Sequence, residues 1–212
     1  KKPIHWCMKC QTALAEAELE YNNESSPSIY VNFKLKDNIG RFFKGADSKD
    51  AHILIWTTTP WTLPANLAVA VHPEHEYVAV RYVSPKTQRQ EITIIADKRT
   101  DFVMSTVGIK NYACLGKVQG RLLEGIEYQH AFMNRTGSIV LAEYVTLSDG
   151  TGCVHTAPGH GQEDYITGIK YHLPILSPVD ATGVFTDEAG EFAGKNIKEG
   201  NSSITNRLEM NG

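Results

Sequence analysis

The chain has 212 residues, of which 42% are hydrophobic and 21% charged. These proportions exclude disordered, collagen-like and low-complexity classes, and the length suffices for one large core or two small ones. Lys and Arg number 21 against 24 Asp and Glu, a net charge of −3, so the basic excess of a protein that lives by gripping phosphates is missing.

The longest apolar runs, Ile53–Trp56 and Leu67–Val71, are far too short to span a bilayer. The opening residues Lys1 to Trp6 contain no apolar signal segment and no initiator Met. A piece cut from a larger chain, with no membrane contact, is therefore expected. Four Cys are too few for a disulfide scaffold, which points to a reducing, cytoplasmic setting.

In chain order, Cys7 and Cys10 form a Cys-x-x-Cys pair, half a zinc site by spacing. Thr12 to Glu20 is rich in helix formers and predicts a helix, broken by the polar stretch from Asn22 to Pro27. Ser28 to Lys36 alternates, with Ile29, Val31, Phe33 and Leu35 on one face, and predicts a half-buried strand. His52–Thr58 predicts a buried strand that enters a loop bounded by Pro60 and Pro64. Leu67–Val71, Glu76–Val83 and Glu91–Ala96 predict further strands, with a hairpin tip at Ser84 to Gln90. Asp97 is placed to cap a short helix through Thr106. Ser138–Tyr144 and Thr151–Thr156 predict strands around the turn Ser148-Asp149-Gly150. Gly161–His172 predicts a helix, Gly190–Gly200 a loop and Ser202–Met210 a terminal helix. Short strands with few helices, no repeat and no linker predict a single α+β domain around a β-barrel-like mixed sheet. Residues 1–27 form its N-terminal junction and residues 28–212 its core.

Two segments carry chemistry. Trp56-Thr57-Thr58-Thr59-Pro60-Trp61 sets three hydroxyls at a strand end, where they can hold a water or a ribose hydroxyl. The plainer explanation is that Thr favours strands. Gly150 to Tyr165 runs from a strand through a Gly/Pro turn into a helix start, with His155 at the strand end and Asp164 in the first helical turn. A carboxylate there suits the helix dipole and can receive an ammonium group, although first-turn acids also serve helix stability alone. Cys153 and His155 share a strand face, but nothing marks Cys153 as an activated thiolate. Cys153, His155, His160 and Asp164 lack the spacing of a helical metal motif, because Pro158-Gly159 intervenes.

His5-Trp6-Cys7 with Cys10 and Ala13 to Glu18, then Trp56 to Asn66, then Gly152 to Gly161 with Glu163-Asp164-Tyr165, together resemble isoleucyl-tRNA synthetases. More narrowly, they resemble the connective-polypeptide editing domain inserted in the catalytic domain of those enzymes. The related valyl and leucyl enzymes carry an Arg-containing Thr-rich motif and lack the Pro60 to Asn66 run. The HIGH and KMSKS signatures of amino-acid activation are absent from the sequence.

The resemblance implies a second sieve. One methylene in an apolar pocket discriminates valine from isoleucine by only about 1–3 kcal/mol, a limit for which isoleucyl enzymes are the standard illustration. The sieve admits valine, excludes isoleucine and hydrolyses valyl-tRNA(Ile), with valyl-adenylate as a further substrate. Asp164 would bind the α-ammonium. Trp56, Thr57, Thr58 and Thr59 would line the aminoacyl and terminal-adenosine pocket, with His160 and Gly161 also touching substrate. His155 would crowd out the extra carbon or act as a general base. Asn66 and a Thr hydroxyl, that of Thr58, would orient the attacking water, with no metal and no covalent nucleophile. No cofactor is expected in this chain; ATP, Mg and zinc belong to the full-length enzyme. There Cys7 and Cys10 would join a zinc site completed by residues beyond Gly212. Expected partners are the tRNA 3′ end and the remainder of the synthetase, with the chain itself a monomer. Two rival readings remain: a stand-alone metal- or thiol-dependent ester hydrolase, and a tRNA-end binding module without turnover.

Overall fold

The computed structural model describes residues 2–23, 25–46 and 51–210. A small antiparallel ribbon, β1 (Trp6–Cys7) with β2 (Thr12–Ala13), stands apart from the main sheet. The main sheet comprises β3 (Ile29–Leu35), β4 (Ala51–Thr57), β5 (Ala68–Val71), β6 (Glu76–Val83) and β7 (Gln90–Ala96). Helix α1 (Thr100–Thr106) follows, then β8 (Tyr112–Gln119), β9 (Glu127–Gln129), β10 (Thr136–Leu141) and β11 (Cys153–Thr156). Helices α2 (Gln162–Lys170) and α3 (Ile197–Met210) complete the chain order. No helix among the described residues is long and apolar enough to cross a membrane.

The nine strands run in the order β11-β5-β10-β9-β3-β4-β7-β6-β8. Most neighbours are antiparallel, but β5 with β10 and β4 with β7 are parallel. Four strands separate β11 from β4, yet the two pack together. The sheet therefore curls on itself, as the expected barrel-like core requires.

The apolar pattern of each strand follows from what covers its faces. On β3, Val31, Phe33 and Leu35 are buried and the intervening positions are not, the signature of one solvated face. On β4, Ile53 and Ile55 enter the main core with Phe33, Val69, Tyr77 and Tyr128. Leu54 points the other way, joining Val78, Val80, Ile95, Val103 and Met104 beneath α1. Both faces of β4 are covered at its middle, so Ile53, Leu54 and Ile55 are apolar in succession. A third cluster, with Ala68, Ala70 and Val140, lies against Tyr171 and Leu173 just after α2; α2 thereby packs beside β5 and β11.

Several expectations are corrected. Thr12 to Glu20 is not a helix. Thr12–Ala13 pairs with Trp6–Cys7 across the Cys7 to Cys10 turn, leaving only a 3-10 turn at Glu16–Glu18. That short remainder buries nothing, and a helix of this length without an apolar face to dock does not persist. The strands β10 and β11 do not pair with each other; both flank β5. Asp97 begins a 3-10 turn and makes no side-chain cap. The terminal helix starts earlier than expected, at Ile197, because Asn196 Oδ1 accepts the Lys198 N–H at 3.0 Å and caps it. The expected loop over Gly190–Gly200 also begins inside a 3-10 turn at Asp187–Phe192. Strands β8 and β9 were not anticipated. β8 is the sheet edge, largely exposed, interrupted by Gly116 at φ 137° and offset from β6 by a bulge. Without burial there is no periodicity to read.

Candidate active site

The strand β4 delivers Trp56 and Thr57 to the edge of the curled sheet and then stops. Thr57 Oγ1 accepts the Thr59 N–H at 3.0 Å, turning the chain into a 3-10 helix over Pro60–Ala65. Pro60 at its start has no N–H to waste. Trp61 N–H donates to Asn201 Oδ1 at 3.0 Å, so α3 buttresses the turn from outside. His130 Nε2–H donates to Leu63 O at 2.9 Å, while its Nδ1 accepts the Phe132 and Met133 N–H groups. Arg135 donates to the carbonyl of Pro64. The turn is thus clamped at both ends before any ligand arrives.

Register brings the second motif to the first. On β11, His155 sits opposite Val69 and Thr156 opposite Ala68 on β5. The imidazole lies against the 3-10 turn, 3.0 Å from Thr62 Oγ1 at Nε2 and 2.8 Å from Asn66 Nδ2 at Nδ1. The proton positions follow from the partners. Asn66 Nδ2 also donates to Ala68 O at 3.0 Å, which orients the amide, and Asn66 Oδ1 accepts from the Tyr128 hydroxyl at 2.6 Å. His155 Nδ1 must therefore accept, so the ring is neutral with its proton on Nε2. That proton goes to Thr62 Oγ1, whose own hydroxyl proton goes to Thr59 O at 2.9 Å. Every polar hydrogen in the chain Tyr128–Asn66–His155–Thr62 has one partner.

Burial acts in the same direction. His155 is 9% exposed, and desolvation pushes its pKa down to about 3, assisted by the nearby imidazoles of His130 and His160. Both ring nitrogens are spent on the protein, so His155 presents a ring edge to its surroundings rather than a free base.

The cleft beside it has a volume of about 350 Å³. Trp56, Thr57 and Thr58 form one wall, the Tyr144 to Val154 segment the other, and His155 and Glu163 also line it. Trp56 is fixed by Nε1–H donation to Ser28 Oγ at 2.7 Å. Thr58 is exposed at this wall, with its carbonyl taken by Ser26. Asp149 and Glu163 line the cleft; among the described residues no Lys or Arg lines it, although the Arg99 guanidinium donates to the Gly150 and Ser148 carbonyls of its wall.

Five predicted site residues do not line this cleft. Thr59 turns away and caps the 3-10 helix through its carbonyl. Asn66 is 1% exposed with all its amide groups engaged. It supports His155 from behind, and the structure does not bring it to the cleft where a water would be oriented. His160 stacks edge-on against Trp61, with ring centroids 5.0 Å apart. Its Nε2 is buried with no hydrogen-bond partner, and burial lowers its pKa to about 4. Gly161 is the residue preceding α2, and a Cβ there would press on the Asp164 carboxyl group at 2.8 Å. Its missing side chain is what admits that group.

Asp164 stands in the first turn of α2, as expected. Its Oδ2 accepts the Ala157 N–H at 2.9 Å, tying the helix to the end of β11. Its Oδ1 has only the Tyr144 hydroxyl, at a long 3.5 Å. Burial raises its pKa, and the two hydrogen bonds oppose that rise. Tyr144, its partner there, lines the cleft.

The thiol and metal alternatives find no geometry. Cys153 is 2% exposed, burial pushes its thiol pKa far up, and its Sγ faces the Ile94 carbonyl; a thiolate is disfavoured there. Among the described residues no group of three or more His, Cys, Asp and Glu can hold a metal. Cys7 and Cys10 do form a knuckle, the Cys10 N–H donating to Cys7 Sγ at 3.3 Å and holding that thiol below its usual pKa. They fit as two of the four donors a structural zinc takes.

Sequence reasoning missed Tyr128 and Tyr144, and it did not see Asp149 and Glu163 as cleft residues. Tyr128 lies on a three-residue strand, with no motif around it to give a signal.

The fold is that of solved synthetase editing domains. It matches the editing domain of the P. knowlesi cytosolic leucyl-tRNA synthetase with a TM-score of 0.67 at 11% identity, over 87% of this chain and 93% of that one. The P. falciparum counterpart matches with a TM-score of 0.59 at 12% identity, over 86% of this chain and 97% of that one. The chain belongs to the family described as leucyl-tRNA synthetase, editing domain, which matches residues 39–210. In sequence it is 49% identical to the isoleucine–tRNA ligase of Petrotoga mobilis, over all of this chain and 21% of that protein. It is 47% identical to that of Moorella thermoacetica, over all of this chain and 22% of that protein. The chain thus spans about a fifth of the length of the curated relatives it matches.

Proposed function

We propose that this chain proofreads aminoacyl-tRNA for an isoleucine-specific synthetase, hydrolysing the ester of valyl-tRNA(Ile) and also accepting valyl-adenylate. The observation that carries the reading is the His155 ring, held neutral at the edge of a small polar cleft with both nitrogens already bonded. Such a ring limits the size of what enters and performs no proton transfer. That supports the size-gate role over the general-base role.

The other parts follow. Asp164 Oδ1, loosely held by Tyr144, is the acceptor for the α-ammonium, with Asp149 and Glu163 adding negative potential that the Arg99 guanidinium, bound to the Ser148 and Gly150 carbonyls, partly offsets. Trp56 and Thr57 shape the wall along the aminoacyl group and terminal adenosine. Thr58, exposed at the wall, holds the attacking water. The ester is already activated, so positioning suffices. With a net charge of −3, the rest of the synthetase supplies the phosphate contacts that deliver the tRNA end in the cytoplasm.

Incubating the chain with valyl-tRNA and isoleucyl-tRNA and following deacylation tests the reading. Preferential loss of the valyl ester supports it. Binding without turnover favours a tRNA-end module, and inhibition by chelators or thiol alkylation favours the other hydrolases.

A further inference from the structure

We propose that Tyr128 is a positioning residue for the cleft: its hydroxyl holds the Asn66 amide so that His155 stays in one tautomer and one orientation. The inference rests on reading the cleft as the hydrolytic site, and it concerns a residue outside both motifs.

Tyr128 is fully buried, on the interior strand β9, and its ring packs 4.9 Å from that of Phe33. Its hydroxyl reaches Asn66 Oδ1 at 2.6 Å, and among the described residues no other donor serves that oxygen. Burial holds the phenol protonated, so it is always a donor. Two contacts then fix the amide: Tyr128 at its oxygen and Ala68 O at its nitrogen. The fixed amide in turn presents a donor to His155 Nδ1 and sends the imidazole proton to Nε2 and Thr62. Without the phenol oxygen, Asn66 Oδ1 is buried and unpaired, and a flipped amide that accepts from Nδ1–H becomes competitive.

A second observation shows that the phenol is accommodated at this place. On the neighbouring strand Gly137 pairs with Tyr128, and a Cβ at 137 would overlap the phenol carbon and oxygen. A side chain there would push the hydroxyl off Asn66. Neither residue lines the cleft, so any effect on it passes through Asn66.

The test is ring nitrogen-15 NMR of the histidine-labelled chain, with valyl and isoleucyl ester hydrolysis in parallel. In the unmodified chain His155 is expected to show a single neutral tautomer, protonated on Nε2 and unchanged from pH 8 to 5. Tyr128→Phe keeps the ring and removes only the hydroxyl. It is expected to bring in the Nδ1-protonated form and to reduce valyl-over-isoleucyl selectivity by about tenfold, the scale of one lost hydrogen bond. Gly137→Ala, which displaces the hydroxyl without removing it, is expected to shift the tautomer in the same direction and serves if the Phe variant does not fold. A proton on Nδ1 in the unmodified chain overturns the proposal outright. So does a folded variant of either kind with unaltered His155 signals. If the tautomer shifts as expected but the unmodified chain turns over no ester, Tyr128 keeps its role and the hydrolase reading falls.

Discussion

Asn66 Nδ2 lies 2.8 Å from His155 Nδ1, and this contact decides that the imidazole accepts there and donates at Nε2. A histidine so engaged is a wall.

Replacing that wall should therefore change selectivity before rate. His155→Ala is expected to hydrolyse isoleucyl-tRNA measurably while its rate on valyl-tRNA stays within about tenfold of the original. It should also lose about 3 kcal/mol of stability, since a buried ring is removed and Asn66 and Thr62 lose partners. Deacylation assays with both esters and a urea titration check the two parts. A collapse of valyl hydrolysis without any isoleucyl activity would restore the general-base role.

Asp164→Asn separates anchoring from folding. The amide oxygen can still accept the Ala157 N–H now bound at 2.9 Å, so the fold is expected to survive. The charge proposed to receive the ammonium is gone, and hydrolysis is expected to fall about a hundredfold, mostly as a raised KM. Steady-state kinetics on valyl-tRNA, with a circular dichroism spectrum as the control, decide it.

Gly161→Ala reaches the same carboxyl group without changing it. The backbone at Gly161, φ −105°, is open to any residue, so only the contact with Asp164 is at issue. Activity is expected to drop about tenfold and stability by about 1 kcal/mol. Unaltered kinetics would show that the position of the carboxyl group is not limiting.

Acid should weaken the fold through its buried histidines. His155, His130 and His160 have pKa values lowered to about 3, 4 and 4, chiefly by burial. The unfolded chain binds protons near pH 6.5, well above these values. Between about pH 6.5 and 4 the unfolded state therefore holds more protons, and stability falls as pH falls. Asp164, raised by burial, acts in the opposite sense. The loss is expected to exceed about 1.4 kcal/mol per pH unit, the slope of a single proton. Denaturant midpoints from pH 7 to 4 measure it; a slope below one proton contradicts the burial of these rings.

Much of the site is legible in the residues. The Thr57 to Asn66 run and the His155 to Asp164 run announce themselves because their Gly, Pro and Thr are costly or idle elsewhere. The α2 start at Gln162 agrees with the acidic first turn and the Gly161 before it. The alternation of Val31, Phe33 and Leu35 gives β3 directly. Two of the failures share a cause, a local signal and burial that do not coincide. Thr12 to Glu20 has helix propensity but no surface to bury, and β8 has a partner but no pattern.

The sequence by itself determined the class of domain, the strands with covered faces and the two segments that meet. Those properties are local, set by period, propensity and turn chemistry. The tertiary structure alone decided which motif residues face the cleft. Asn66 and Thr58 lie eight positions apart in one motif, yet one is sealed behind the imidazole and the other is exposed at the cleft. It also decided the proton on His155, through Tyr128 and Ala68, which come from β9 and β5. A tautomer depends on partners and on burial. Both are products of packing between strands distant in sequence, and no spacing within a motif encodes them.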